Sequence, residues 1–316
     1  MRPTARRSGF TLIEIMIVIG IIALLMGLLL PAVLRARESG RRTACTNNQY
    51  QLAFAVQRHA DSSGALVGWR NPSPNPANRS SGTYTPSWPV LLLPFIERTD
   101  LYTSWTSAAV GPATQINTLL CPCSPPDSPG RPTLSYAGNV GTCGVAGIPG
   151  NVANKYDGVL LDVVVRANAI TPDDISNADG TGTTLLLSEK SGSVVTQGYW
   201  DVCPTTATQF AYSGGSTAYA AGSSLPVPGF GVTGAAITPV LNSLVSGAPG
   251  AWSQPSSNHP DGAVVAFCDS HTLFLKNTIA PQVYAQLITS NNAKASSIPR
   301  SNWGTAAYAL SDDDYQ

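Results

Sequence analysis

Hydrophobic and polar positions follow three regimes along the chain. From Phe10 to Leu30 there are 21 residues whose only charge is Glu14, and at about 1.5 Å per residue a helix of that length reaches about 30 Å, the thickness of a bilayer core. From Pro31 the pattern turns amphipathic: Cys45, Leu52 and Val56 recur near helical spacing with polar residues between them, which predicts a second, surface-docking half of one long helix. Pro31 lacks an N–H and is expected to kink that helix, which should stop near Ser62 to Gly64.

The third regime is short apolar runs between turns. Residues 61–87 are rich in Pro, Ser, Asn and Gly and read as a loop. After it, "WPVLLLPFI" (88–96), "GVLLDVVV" (158–165), "TTLLLSE" (183–189), "GAVVAFCD" (262–269) and "HTLFLK" (271–276) predict strands. In "SNHPDGAVVAFCDSHTLFL", His259-Pro260-Asp261-Gly262 reads as a turn, Ala263–Cys268 as a strand, Asp269-Ser270 as a tight connection and His271–Leu275 as the returning strand. The expected class is α+β: a long N-terminal helix, first membrane-spanning and then amphipathic, packed on a mainly antiparallel β-rich head.

Composition narrows the setting. Charged residues make up 11% of the chain, against about 25% in ordinary soluble domains, and Gly (29) and Pro (25) are abundant; this suits a loop-rich exported domain. Eighteen basic residues balance eighteen acidic ones, and no Lys/Arg cluster falls outside the first 42 positions, so nothing in the body of the chain offers an electrostatic footprint for nucleic acid. Six cysteines (Cys45, Cys121, Cys123, Cys143, Cys203, Cys268) can pair in fifteen ways, and spacing does not choose among them. Zinc is the rival use of such cysteines, and no C-x-x-C pair supports it.

A carboxylate inside an apolar span costs roughly 2.5 to 3.5 kcal/mol on insertion scales and calls for a partner. Glu14 therefore reads as functional. A secretory signal would be shorter and would carry its small residue after the apolar run, whereas here Gly9 precedes it and Pro31 and Arg35 follow. "RRSGFTLIEIMIVIGIIALLMGLLLPAV" resembles the leader of type IV prepilins and type II secretion pseudopilins: a basic leader, Gly at the cut, an aromatic first mature residue and Glu at mature position five. The resemblance implies cleavage by a prepilin peptidase between Gly9 and Phe10, N-methylation of Phe10, and an assembly role in which Glu14 faces the Phe10 amine of a neighbouring subunit. Such a pairing would set the axial register of adjacent helices, since a buried acid is favourable only beside an opposite charge.

The hairpin segment resembles the H-x9-D-G signature of the DUF1559 pseudopilin-like family, with His259 and Asp269 at its two ends. "ACTNNQYQLAFAVQRHADSSG", "SWPVLLLPFIERTDLY", "LLCPC", "SYAGNVG", "YDGVL" and "ITPDDISNADGTGTTLLLSE" resemble other family segments in order, so the resemblance covers about residues 7–290. Two departures stand out: Ser270 takes the place of the family's Gly, and the C-terminal segment lacks a glycine-rich close. The family segments that contain cysteine include Cys45 and Cys121, and a bridge between them would pin the long helix to the head.

Candidate chemistry is thin. His259, Asp269 and His271 could converge as a metal or acid/base set, but hydrogen bonds that stabilise the two turns are the simpler reading. In "SNADGTGTTLLLSE", Asn177, Asp179 and Gly182 fall at EF-hand positions, yet Ser188 stands where Glu is required. A calcium site of another kind near Asp173, Asp174 and Asp179 stays open beside an ordinary Asx-rich turn; otherwise no cofactor or metal is expected. No G-x-S-x-G, H-E-x-x-H or P-loop is present, and no enzyme is expected. The Asp312–Asp314 run reads as a solvated tail.

The expected organisation is a leader (1–9), a transmembrane helix (10–30), an amphipathic extension (31–60) and a β-rich head (61–316), single-pass in the inner membrane with the head in the periplasm or outside the cell. The expected function is that of a pilin- or pseudopilin-like subunit, its partners prepilin peptidase, like subunits and the membrane. The alternative is a membrane-tethered binding module that uses the pilin start only for export and anchoring.

Overall fold

The computed structural model describes residues 11–75, 86–107, 114–124, 133–143, 155–156, 158–161, 163, 169–190, 198–199, 229–233, 255, 257–291, 294, 310 and 315. The chain divides into two compact units, Met1–Thr43 and Ala44–Gln316.

Helix α1 runs Leu12–Ser63 and continues through Pro31. In the first unit its side chains from Leu12 to Leu34 are exposed although they are almost all apolar, and none of this apolar stretch is buried. A helix hydrophobic all round and uncovered has the character of a membrane span. Its start is built from sequence. Thr11 donates N–H (2.8 Å) and Oγ1–H (2.7 Å) to Glu14 Oε2, and Glu14 N–H returns to Thr11 Oγ1 at 3.4 Å. This is the reciprocal capping box that T-x-x-E encodes.

The second unit is an α+β head. Its central sheet has the order β5-β2-β3-β6-β7: β2 (Tyr136–Cys143), β3 (Leu185–Glu189), β6 (Gly262–Phe267) and β7 (Thr272–Lys276) pair antiparallel, and β5 (Gly229–Thr233) joins β2 in parallel at one edge. A separate two-stranded ladder joins β1 (Thr133–Leu134) to β4 (Gly198–Tyr199).

Both faces of the sheet are covered. The part of α1 in this unit buries a stripe at helical spacing, from which Cys45, Leu52, Ala53, Val56 and Ala60 join one apolar cluster with Leu187, Val264 and Ala266, while the polar Gln49 is buried on the same helix. Two glutamines tie the helix to the strand beneath it: Gln49 Nε2 donates to Val264 O at 2.7 Å and Gln57 Nε2 to Cys268 O at 2.8 Å. Alternate β6 side chains, Val265 and Phe267, face the other way and pack with Leu185, Leu275, Tyr284, Leu287 and Ile288, the last three from α5 (Pro281–Ile288). The period of two along β6 thus serves two cores.

Two predicted strands are not strands. "WPVLLLPFI" forms α2 (Trp88–Leu92) and a 3₁₀ turn over Leu93–Ile96; each begins with a proline at its first or second position, where a missing N–H costs nothing. The described residues of 158–165 form bends and loop. The short helices α3 (Thr99–Ser107) and α4 (Pro172–Ser176) and a 3₁₀ turn over Asn117–Leu119 complete the described elements.

Candidate functional site

Residues far apart in sequence meet under α1, inside the head. Cys45 and Cys121 form a disulfide with Cα atoms 5.3 Å apart, closing a separation of 76 residues. The second cysteine is placed by its flanks. Asn48, one turn after Cys45, donates Nδ2–H to Leu120 O (2.9 Å), and Ser135 N–H binds Leu119 O (2.9 Å), so 119–121 is strung between α1 and the start of β2. The turn that follows closes with Ser124 N–H on Cys121 O at 2.8 Å.

His259 enters from the turn before β6. Its N–H donates to Ser257 Oγ (3.0 Å), and Asn258 Nδ2 donates to Cys123 O (2.8 Å), which fastens this turn to the Cys121–Cys123 segment. The imidazole is buried. Its Nε2 lies 3.3 Å from Glu189 Oε1 and 3.7 Å from Cys121 Sγ, and its Nδ1 lies 3.5 Å from Cys123 Sγ. Glu189, the last residue of β3 and only 2% exposed, has its other oxygen on Val264 N–H at 3.0 Å. Cys121 Sγ is 3.4 Å from Glu189 Oε1.

The result is a buried Cys45/Cys121/Glu189/His259 set whose donor atoms all lie within 4.8 Å of one another. Sequence reasoning missed Glu189 and the meeting of His259 with the cysteines. The available signal was "LLLSEK", an apolar strand that ends in two charged residues, both buried in the structure.

His259 and Asp269 occupy opposite ends of β6, so His259, Asp269 and His271 do not converge. Asp269 is exposed and works as a turn residue: its Oδ1 accepts His271 N–H at 3.0 Å and lies 2.6 Å from His271 Nδ1. Ser270, beside it, adopts φ +73°, the left-handed conformation that glycine accepts without cost.

At the suggested calcium segment, Asp174 caps α4. Its Oδ2 accepts from Thr171 N–H (3.1 Å) and Oγ1–H (3.0 Å), and Lys155 Nζ lies 2.8 Å from Oδ1. Asp173, Asp174 and Asp179 are not gathered into one ligand set among the described residues. Gly9 and Phe10 lie outside the described residues, and Glu14 sits in the first turn of α1 on Thr11.

A prepilin-type start on an apolar helix, followed by a helix-covered β head, defines a pilin- or pseudopilin-like protein. Residues 4–30 match the prokaryotic N-terminal methylation motif, which implies processing by prepilin peptidase and assembly with pilin-like subunits. The chain belongs to the family described as "Protein of unknown function (DUF1559)", which matches residues 35–282. No curated protein and no solved structure matches it.

Proposed function

We propose that the chain is an envelope subunit that is cut between Gly9 and Phe10, N-methylated at Phe10, held in the inner membrane by α1 and assembled with like subunits in a type II secretion or type IV pilus-like system. Its head then stands in the periplasm or outside the cell. The role is structural, with no catalytic step assigned to the head. The observation that supports this most is the methylation motif over residues 4–30 together with an uncovered apolar helix from Leu12.

Glu14 distinguishes assembly from mere anchoring. In the single chain its carboxylate is held by Thr11, an arrangement that glutamine reproduces with its amide oxygen. After cleavage, the new Phe10 amine of a neighbour offers the opposite charge that an acid in a membrane calls for. Glu14→Gln should therefore preserve the helix start and membrane insertion yet abolish cross-linking between subunits in membranes. Normal cross-linking of the Glu14→Gln protein would show that the carboxylate does not set the register.

A further inference from the structure

We propose that Cys45, Cys121, Glu189 and His259 form a zinc site when the Cys45–Cys121 bond is reduced, so that one buried set of residues alternates between a disulfide and a tetrahedral metal centre.

The argument begins with geometry. Around a tetrahedral Zn²⁺, bonds of about 2.3 Å to sulfur, about 2.0–2.1 Å to imidazole nitrogen and about 2.0–2.2 Å to carboxylate oxygen imply ligand edges of about 3.5 Å for S···N, about 3.4 Å for N···O and about 3.5 Å for S···O. The corresponding separations here are 3.7 Å for Cys121 Sγ to His259 Nε2, 3.3 Å for His259 Nε2 to Glu189 Oε1 and 3.4 Å for Cys121 Sγ to Glu189 Oε1. All three edges agree to within about 0.2 Å. Cys45, bonded to Cys121, supplies the fourth ligand from α1.

The donor set fits either of two occupants. A disulfide sulfur carries no hydrogen and a carboxylate only accepts, so the acceptors that face this buried point are reconciled either by the Nε2–H tautomer of His259 or, once the disulfide is reduced, by a metal ion at the centre. Beyond the set, Cys123 Sγ lies 3.5 Å from His259 Nδ1 and Val264 N–H holds the outer oxygen of Glu189. Partners of this kind fix a ligand's tautomer and aim its lone pair, as the outer shell of a metal site does.

The redox step balances with a dithiol as reductant. Two electrons and two protons pass from the dithiol to the Cys45–Cys121 bond, which breaks to two thiols while the dithiol closes to its own disulfide. On binding, the two thiols release their protons and Zn²⁺ keeps its oxidation state.

The test uses the full chain in detergent, reduced with a phosphine that becomes the phosphine oxide with an oxygen from water. Bound zinc is then measured after loose metal is removed. One Zn²⁺ per reduced chain and none per disulfide-bonded chain is the expected result, with Glu189→Gln binding roughly tenfold or more weakly and Cys268→Ser unchanged. In the reduced wild type, zinc should also slow alkylation of Cys45 and Cys121 by roughly tenfold or more relative to the same protein without metal, a readout that needs no variant to fold. Equal zinc binding by the oxidised chain, no binding by the reduced chain, or alkylation of both cysteines at the same rate with and without zinc would each overturn the proposal.

Discussion

Glu189 Oε1 lies 3.3 Å from His259 Nε2 while Glu189 Oε2 accepts the Val264 N–H at 3.0 Å, with both side chains buried. One carboxylate thus joins the end of β3 to the turn before β6 and to β6 itself. Removing the carboxylate leaves His259 Nε2 and the Val264 N–H buried without this acceptor, at about 1–3 kcal/mol for each group. Glu189→Ala should lower the unfolding free energy by about 2 kcal/mol or more, measured by denaturant titration in detergent on the fluorescence of the buried tryptophans. Glu189→Gln keeps an acceptor for Val264 N–H and should cost distinctly less. Equal losses in the two variants would mean that the backbone bond contributes nothing.

Ser270 is held at φ +73°, is 3% exposed, and its Oγ has no hydrogen-bond partner among the described residues. A non-glycine residue in this conformation costs about 1 kcal/mol or more, partly offset by the freedom glycine has in the unfolded chain. Ser270→Gly should therefore raise stability by about 1 kcal/mol and shift thermal unfolding upward by a few degrees. A lower melting temperature would show that the hydroxyl contributes to the turn.

Burial pushes the Lys190 ammonium down to about 7, against about 10.4 in an unfolded chain. Between those values the unfolded chain binds more protons than the folded one, so stability rises with pH by up to about 1.4 kcal/mol per unit. The useful window is pH 7 to about 8.5, because burial also pushes the Cys268 thiol up, which opposes the trend once free thiols ionise. Unfolding titrations across that window should show the rise in the wild type and its loss in Lys190→Met. The same slope in both proteins would place the proton uptake elsewhere.

What the sequence makes legible follows from local physics. The apolar helix, its polar stop and the β6–β7 hairpin are visible because a period of 3.6 or 2 and a turn signal each need only neighbours. Strand β2 escapes notice because "YAGNVG" is rich in glycine. Its Gly138 is packed so closely under Leu160 that a Cβ there would come to 2.5 Å from Leu160 Cδ2, a requirement set by a residue far along the chain. The run 88–96 misleads because an apolar stretch of that length suits a buried strand or a buried helix equally, and Pro89 and Pro94, which decide it, also mark turns. His259 and Asp269 stand out by motif, but their separate fates depend on where β3 and the Cys121 turn arrive. Glu189 has no signal at any fixed spacing from His259, because only the register of Leu187 against Ala266 brings β3 alongside β6.

The central claim is that this chain is a processed pilin-like subunit, and the mass of its N-terminal peptide, taken from protein extracted from native membranes, tests it most directly. The account predicts a mature chain that begins at Phe10 and carries one methyl group on its amine. An intact Met1, or a chain cut after Leu30 with the apolar helix removed, would contradict it.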